Sequence, residues 1–254
     1  MRQNAFIPMF MRFMKKMLRA NVDYRKFRFS KLKTPEFSHL LLLLFWPVYG
    51  FMFMAVEILI PRAYYQPVWC EFDNFIPFNE LFIIPYWAWF GFLIGMILYL
   101  GVFDVENFKN YMYFIIITYS VAIITYLIWP NCQELRPEIT RDNIFARAVR
   151  GLYDFDTNTN VCPSIHVLGM AASFFGGWYA KGMQSFGWKV FWLISLFLVS
   201  ASTVFLKQHS IIDVIAAAVL CIITYFIVYK FIPYMKTKKD GNKKCTISVR
   251  SEIL

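Results

Sequence analysis

Long apolar runs separated by short polar breaks dominate the chain. Six of them, at about 39–60, 81–103, 111–129, 165–180, 187–206 and 210–233, come near the roughly 20 apolar residues that a helix needs to cross a bilayer. The pattern predicts an all-α, polytopic membrane protein whose six transmembrane helices form one bundle over 39–233. Ahead of it, in the basic segment 1–38, Phe6, Phe10, Phe13, Met14 and Met17 recur at helical spacing opposite Arg12, Lys15, Lys16 and Arg19. That is an amphipathic helix, lying in the headgroup region or packed on the bundle. The stretch 61–80 is rich in proline and aromatics (Trp69, Phe72, Phe75, Pro77, Phe78) and suits an interfacial cap. Between Pro130 and Cys162, the helical spacing of Ile144, Phe145, Ala148, Val149 and Leu152 predicts one surface helix. The basic tail 234–254 has too few apolar residues to fold by itself.

Composition supports this picture. Of 254 residues 59% are hydrophobic and only 17% charged, which excludes an ordinary soluble domain. Arg12, Lys15 and Lys16 interrupt the first apolar stretch, so a cleaved signal peptide is not expected and the first span stays in place. The net charge of +10 gathers in the two tails beside membrane spans, which suits an anionic lipid surface and not nucleic acid. With six spans, 20 of the 26 lysines and arginines fall on the side of the tails. The other face holds Arg62, Arg136, Arg141, Arg147, Arg150 and Lys207. The positive-inside rule then predicts cytoplasmic termini in the plasma membrane, with the second face outside.

The candidate chemistry lies on that second face. Two of the three histidines stand in polar islands, Pro163-Ser164-Ile165-His166 and Ser202-Thr203 running through Lys207-Gln208-His209 to Asp213. The 42 residues between His166 and His209 make about two crossings, so both histidines return to one face, where Arg136-Pro137 joins them. His209 and Asp213 are four apart, one helical turn, so the carboxylate can hold one imidazole nitrogen and leave the other free to attack. Ser164 either caps the helix that His166 opens or donates to an anion at its positive end. Arg136, Lys207, Ser164 and the helix-start amides compose a phosphate or sulfate cradle. Two histidines facing it suit phosphoryl transfer through a phosphohistidine, one as nucleophile and one as proton donor, with no metal or other cofactor.

Taken together, Arg136-Pro137, Pro163-Ser164-Ile165-His166, and Ser202 with His209 and Asp213 resemble the three-part signature of the type 2 phosphatidic acid phosphatase superfamily. The resemblance spans about 80 residues, Arg136 to Asp213. It implies a lipid phosphate substrate and a phosphatase acting on a phosphomonoester or pyrophosphate lipid. His209 would attack, Asp213 orient it and His166 protonate the leaving oxygen, while Arg136, Ser164, Lys207 and Ser202 hold the phosphoryl oxygens. Two departures stand out. Trp129 occupies the place of the usual lysine seven residues before the arginine, and Thr203 the place of the arginine after the serine. Lys207 then supplies the missing charge, as in a subgroup with Lys-Gln-His. The loss of two cations also brings the chain nearer to lipid phosphotransferases similar to the sphingomyelin and inositol phosphorylceramide synthases, which pass a phospho-headgroup to an alcohol. A non-enzymatic transporter or lipid scaffold would account for the hydrophobicity but not for polar residues gathered at one face. Oligomeric state is open.

Other features carry blander readings. Asp154-x-Asp156-x-Asn158-x-Asn160 imitates the front of a calcium loop, but Thr159 and Ile165 hold the glycine and closing-glutamate positions, which leaves a polar turn leading to the site. Glu57 lines the pocket or sits as an interface acid, and His39 has no partner in sequence. Cys70, Cys132 and Cys162 share a face and could form one disulfide, while Cys221 is mid-span, Cys245 is in the tail, and no spacing suggests zinc.

Overall fold

The computed structural model describes residues 22–235 and 238. The expected amphipathic helix at Phe6–Arg19 and the tail from 239 on lie outside the described residues. In chain order the structure runs through α1 (Phe45–Leu59, entered by a 3-10 stretch Ser38–Leu44), strand β1 (Gln66–Pro67), α2 (Phe72–Phe75), α3 (Ile83–Phe103) and α4 (Val105–Ile128). Strand β2 (Asn131–Cys132), α5 (Ile144–Phe155), α6 (Ile165–Tyr179), α7 (Phe186–Phe205) and α8 (Ile211–Tyr225) follow, the last prolonged by a π-helical segment, Phe226–Phe231. Among the described residues five helical stretches are long and apolar enough to cross a membrane: Ser38–Leu59, Glu80–Phe103, Val105–Ile128, Phe186–Phe205 and Ile211–Met235. The protein is an all-α polytopic membrane protein.

The fourth expected span departs from this length. α6 has 15 residues, about 22 Å at 1.5 Å per residue, short of a hydrocarbon core about 30 Å thick. It is an inner helix, buried along both halves and packed against α3, α4, α7 and α8. Its small residues allow this, since close approach of backbones is what holds helices together where lipid is as apolar as leucine. A Cβ on Gly177 would lie 2.1 Å from the Trp192 indole, and one on Gly169 would lie 2.6 Å from the Tyr119 hydroxyl, so neither position has room for a side chain. Four of the five long helices therefore surround the short one, and α1 packs outside them on α4. At the end away from the candidate chemistry, Asp104 in the α3–α4 turn accepts from the Lys181 amide at 3.1 Å. There too, Nε2 of His39 lies 2.7 Å from the Tyr24 hydroxyl, which donates to the Gly101 carbonyl.

At the opposite end the extramembrane segments knit together. β1 and β2 pair in parallel, Gln66 with Asn131 and Pro67 with Cys132. The Asn131 side chain accepts from the amides of Val161 and Cys162 and donates to the Cys162 carbonyl, leading the chain into a cis Cys162–Pro163 bond. The expected surface helix is α5. Phe145, Ala148, Val149 and Leu152 pack over Ile83, Tyr86 and Leu206, whereas Ile144 turns outward at 72% exposed. Cys70, Cys132 and Cys162 are all free thiols.

Candidate active site

Two helix starts and one loop build the site. α6 begins after Pro163, whose carbonyl accepts from Tyr126 at 2.7 Å, while the next carbonyl but one, of Ile165, accepts from Tyr119. These bonds set His166 on the first turn of α6, where its ring lies between Tyr86 and Trp89 of α3, at centroid distances of 4.3 and 4.5 Å. α8 begins with a capping box: Ser210 Oγ accepts from the Ile212 amide and the Asp213 carboxylate accepts from the Ser210 amide. The same Oδ2 of Asp213 faces His209 Nδ1 at 3.2 Å, which fixes the ring and leaves Nε2 as its free nitrogen. The amides of Gln208 and His209 bond back to the Thr203 carbonyl, and Lys207 adopts a left-handed φ of 53° to let the turn close. His166 and His209 meet edge to face, 5.6 Å between ring centroids.

The remaining expected residues fall out differently. Arg136 lies over the Tyr153 ring at 4.5 Å and donates to the carbonyls of Tyr153, Asp156 and Thr157 and to Gln208 Oε1. Its Nε keeps no partner among the described residues. The buried hydroxyl of Ser164 and Nδ1 of His166 are likewise unpartnered there, as are Gln208 Nε2 and Asp213 Oδ1. Buried polar atoms rarely stay so, and these belong to the two histidine-bearing segments and to the arginine bonded to Gln208. Ser202, by contrast, spends its hydroxyl on the Val199 carbonyl within its own helix at 2.6 Å. Lys207 sends its ammonium to the Asp73 carbonyl at 2.6 Å, into the 61–80 cap.

Residues the sequence did not mark, Tyr86, Trp89, Tyr153 and Asp73, complete the surroundings together with Asp156 and Glu57. Tyr86 donates to Asp156 Oδ2 at 3.0 Å, placing a second carboxylate beside the pair of histidines. Burial pushes the Asp156 carboxyl above its usual range, against the pull of the Tyr86 hydroxyl, His209 and Arg136. Burial also pushes Arg136 and Lys207 down, opposed by Asp156 and Asp73 respectively, and holds the Tyr153 phenol at about 12. Asp73 is fully buried and binds the start of α8, accepting from Ser210 Oγ at 2.6 Å and the Ile211 amide at 2.9 Å. Glu57, at the end of α1, accepts from Thr157, Thr159 and Asn160 and anchors the loop that carries Asp156. The apparent calcium loop is thus dispersed: Asp156 turns to Tyr86, Asn158 to Arg62 and Gln133, and Asn160 to Glu57. Tyr86 and Trp89 are one helical turn apart in an apolar span and carry no signal to separate them from lipid-facing aromatics. Asp73 is a lone acid in an aromatic stretch and offered little more.

The sequence model described as PAP2 superfamily matches residues 110–236, half of the chain, from early α4 to the end of the last described helix. No curated protein and no solved structure matches the chain.

Proposed function

The chain belongs to the PAP2 superfamily, whose members are lipid phosphate phosphatases or phosphotransferases, and from that premise we propose that its site transfers a phosphoryl group from a lipid through a phosphohistidine. The observation that carries the reading is the meeting of His166 and His209, 5.6 Å apart, with Asp213 on Nδ1 of the second. Nε2 of His209 attacks phosphorus, the bond from phosphorus to the leaving oxygen breaks, and the imidazolium of His166 gives that oxygen its proton. An acceptor hydroxyl, of water or of an alcohol, then returns a proton to His166 and displaces His209. Asp213 holds the tautomer and stabilises the charge that develops on His209. Arg136 Nε and Ser164 Oγ, both unpartnered, and the amide end of α6 would hold the phosphoryl oxygens. The two jobs that a metal would fill, holding those oxygens and activating a nucleophile, fall in this scheme to these donors and to Asp213.

Rapid quench with phosphorus-labelled lipid, carried out in EDTA, tests the assignment. His166→Ala should slow turnover by roughly 10²–10⁴-fold and accumulate acid-labile label on the protein. His209→Ala should show neither turnover nor label. The reverse pattern would exchange the two roles. No covalent label in either variant would mean direct attack by the acceptor, and loss of all turnover in EDTA would end the metal-free scheme.

A further inference from the structure

We infer that the 61–80 cap is part of the catalytic centre: Asp73, with Lys207 reaching back to it, is the positioning residue that sets His209 for attack. The inference rests on the reading of His209 as the nucleophile and extends it to a segment that lies ahead of residues 110–236, where the family model matches.

The loop between α7 and α8 carries His209 and is bracketed from the cap. Ahead of the histidine, the Asn79 amide donates to the Phe205 carbonyl at 3.0 Å, and Lys207 Nζ donates to the Asp73 carbonyl at 2.6 Å. Behind it, Asp73 Oδ1 accepts from the Ile211 amide at 2.9 Å and Oδ2 from Ser210 Oγ at 2.6 Å. A chain of hydrogen bonds leads from there to the imidazole. Ser210 donates its hydroxyl to Asp73 and its amide to Asp213, and the same Oδ2 of Asp213 faces His209 Nδ1. Asp73 and Asp213 thus hold one residue, Ser210, from two sides, and the second of them orients the ring. Lys207 has a φ of 53°, a region that is costly for a residue with a side chain, and its anchor at Asp73 keeps it there. Buried and bonded to the cap, this ammonium is a strut for the loop and not a member of the phosphate cradle.

Both oxygens of Asp73 are needed as acceptors, because the Cys70 amide is a third donor to them, at 2.9 Å from Oδ2. An asparagine turned either way sets its NH₂ group against an N–H, so Asp73→Asn loosens the start of α8 with almost no change of volume. Attack needs reacting atoms about 3–3.5 Å apart, and a misplacement of about 1 Å can cost about 10²-fold. Substrate binding, assigned to Arg136, Ser164 and the start of α6, involves no cap residue. The loss therefore falls on kcat and leaves KM in place.

Single turnover of phosphorus-labelled dioleoyl phosphatidic acid or dioleoyl phosphatidylethanolamine tests this, with purified full-length protein in detergent micelles and in large excess. The rate constant for loss of the labelled lipid then does not depend on how much of the protein is folded. Asp73→Asn should lower that constant by about 10²-fold and leave the steady-state KM within about twofold, and Lys207→Met should show the same split. Asp73→Asn combined with Ser210→Ala should lose little more than Asp73→Asn alone, since both remove one contact. A lower steady-state rate with an unchanged single-turnover constant would mean that the cap only stabilises the fold, and would overturn the inference. So would a raised KM at unchanged kcat in Lys207→Met, which would return the lysine to the phosphate, and so would multiplied losses in the double variant. Should Asp73→Asn fail to fold, the constants of Ser210→Ala and Lys207→Met decide alone. Turnover that persists in His209→Ala would instead end the reading of His209 as nucleophile, and no loss of either lipid in the wild type would overturn both.

Discussion

Asp156 shows how much a single side chain can hide. In sequence it belongs to a polar turn with a false resemblance to a calcium loop. In the structure it sits under Tyr86, next to Arg136 and His209, with its carboxyl raised by burial. A folded-state value above the unfolded one means that this group opposes folding at pH values above the folded value. The opposition fades as the pH falls towards the ordinary carboxylate value of about 4. Asp156→Asn should therefore raise the Tm in detergent near neutral pH, and the gain should shrink on acidification. No gain at neutral pH would mean that Tyr86 and Arg136 fully offset the burial. The other site residues divide in the same manner. His166, His209, Asp213 and Arg136 were legible because a polar group in an oily chain is conspicuous. The placement of Ser202 and Lys207 was not, because their partners, Val199 and Asp73, are chosen by helix geometry and by a contact across 134 residues. Tyr86 and Trp89 were invisible, since an aromatic against a histidine ring and an aromatic against lipid have the same neighbours in sequence.

The apolar periodicity located every helix of the bundle, but hydropathy alone does not measure how a helix is surrounded. α6 was expected as a span like the others, and its glycines and alanines instead make it the short helix enclosed by α3, α4, α7 and α8. The tightest contact is with α7, where the Trp192 indole fills the space a Cβ on Gly177 would need. Gly177→Ala places a methyl group inside the indole, and overpacking of this kind costs roughly 1–3 kcal/mol. The Tm should fall accordingly, and Trp192→Phe introduced with it should recover part of the loss. A Gly177→Ala protein with an unchanged Tm would mean that α7 can back away into lipid at little cost. The cap was legible only as an aromatic interfacial segment. That it reaches across to hold Ser210 and Ile211 depends on Asp73, and contacts 137 and 138 residues apart leave no periodic trace.

For the molecule as a whole, the unequal division of 20 and 6 basic residues between the two sides of a six-span layout predicts, by the positive-inside rule, that the site faces outside. A cysteine replacing the exposed Glu138, in a chain with Cys70 changed to serine, should react with an impermeant maleimide on intact cells. Reaction only after permeabilisation would turn the site to the cytoplasmic leaflet. Whichever way it faces, its two histidines are buried. Glu80, paired with the exposed Arg141 at 2.9 Å, stands at the start of the apolar stretch that carries Tyr86 and Trp89. Those two rings, with His166 between them, lie six to nine residues further down, about 9–14 Å at 1.5 Å per residue. On the proposed reading, a lipid phosphate descends from the plane of its neighbours before it reacts. Bilayer thickness sets the length of that descent: a membrane of short acyl chains brings the headgroup plane towards the histidines, and a thick, sterol-stiffened one carries it away.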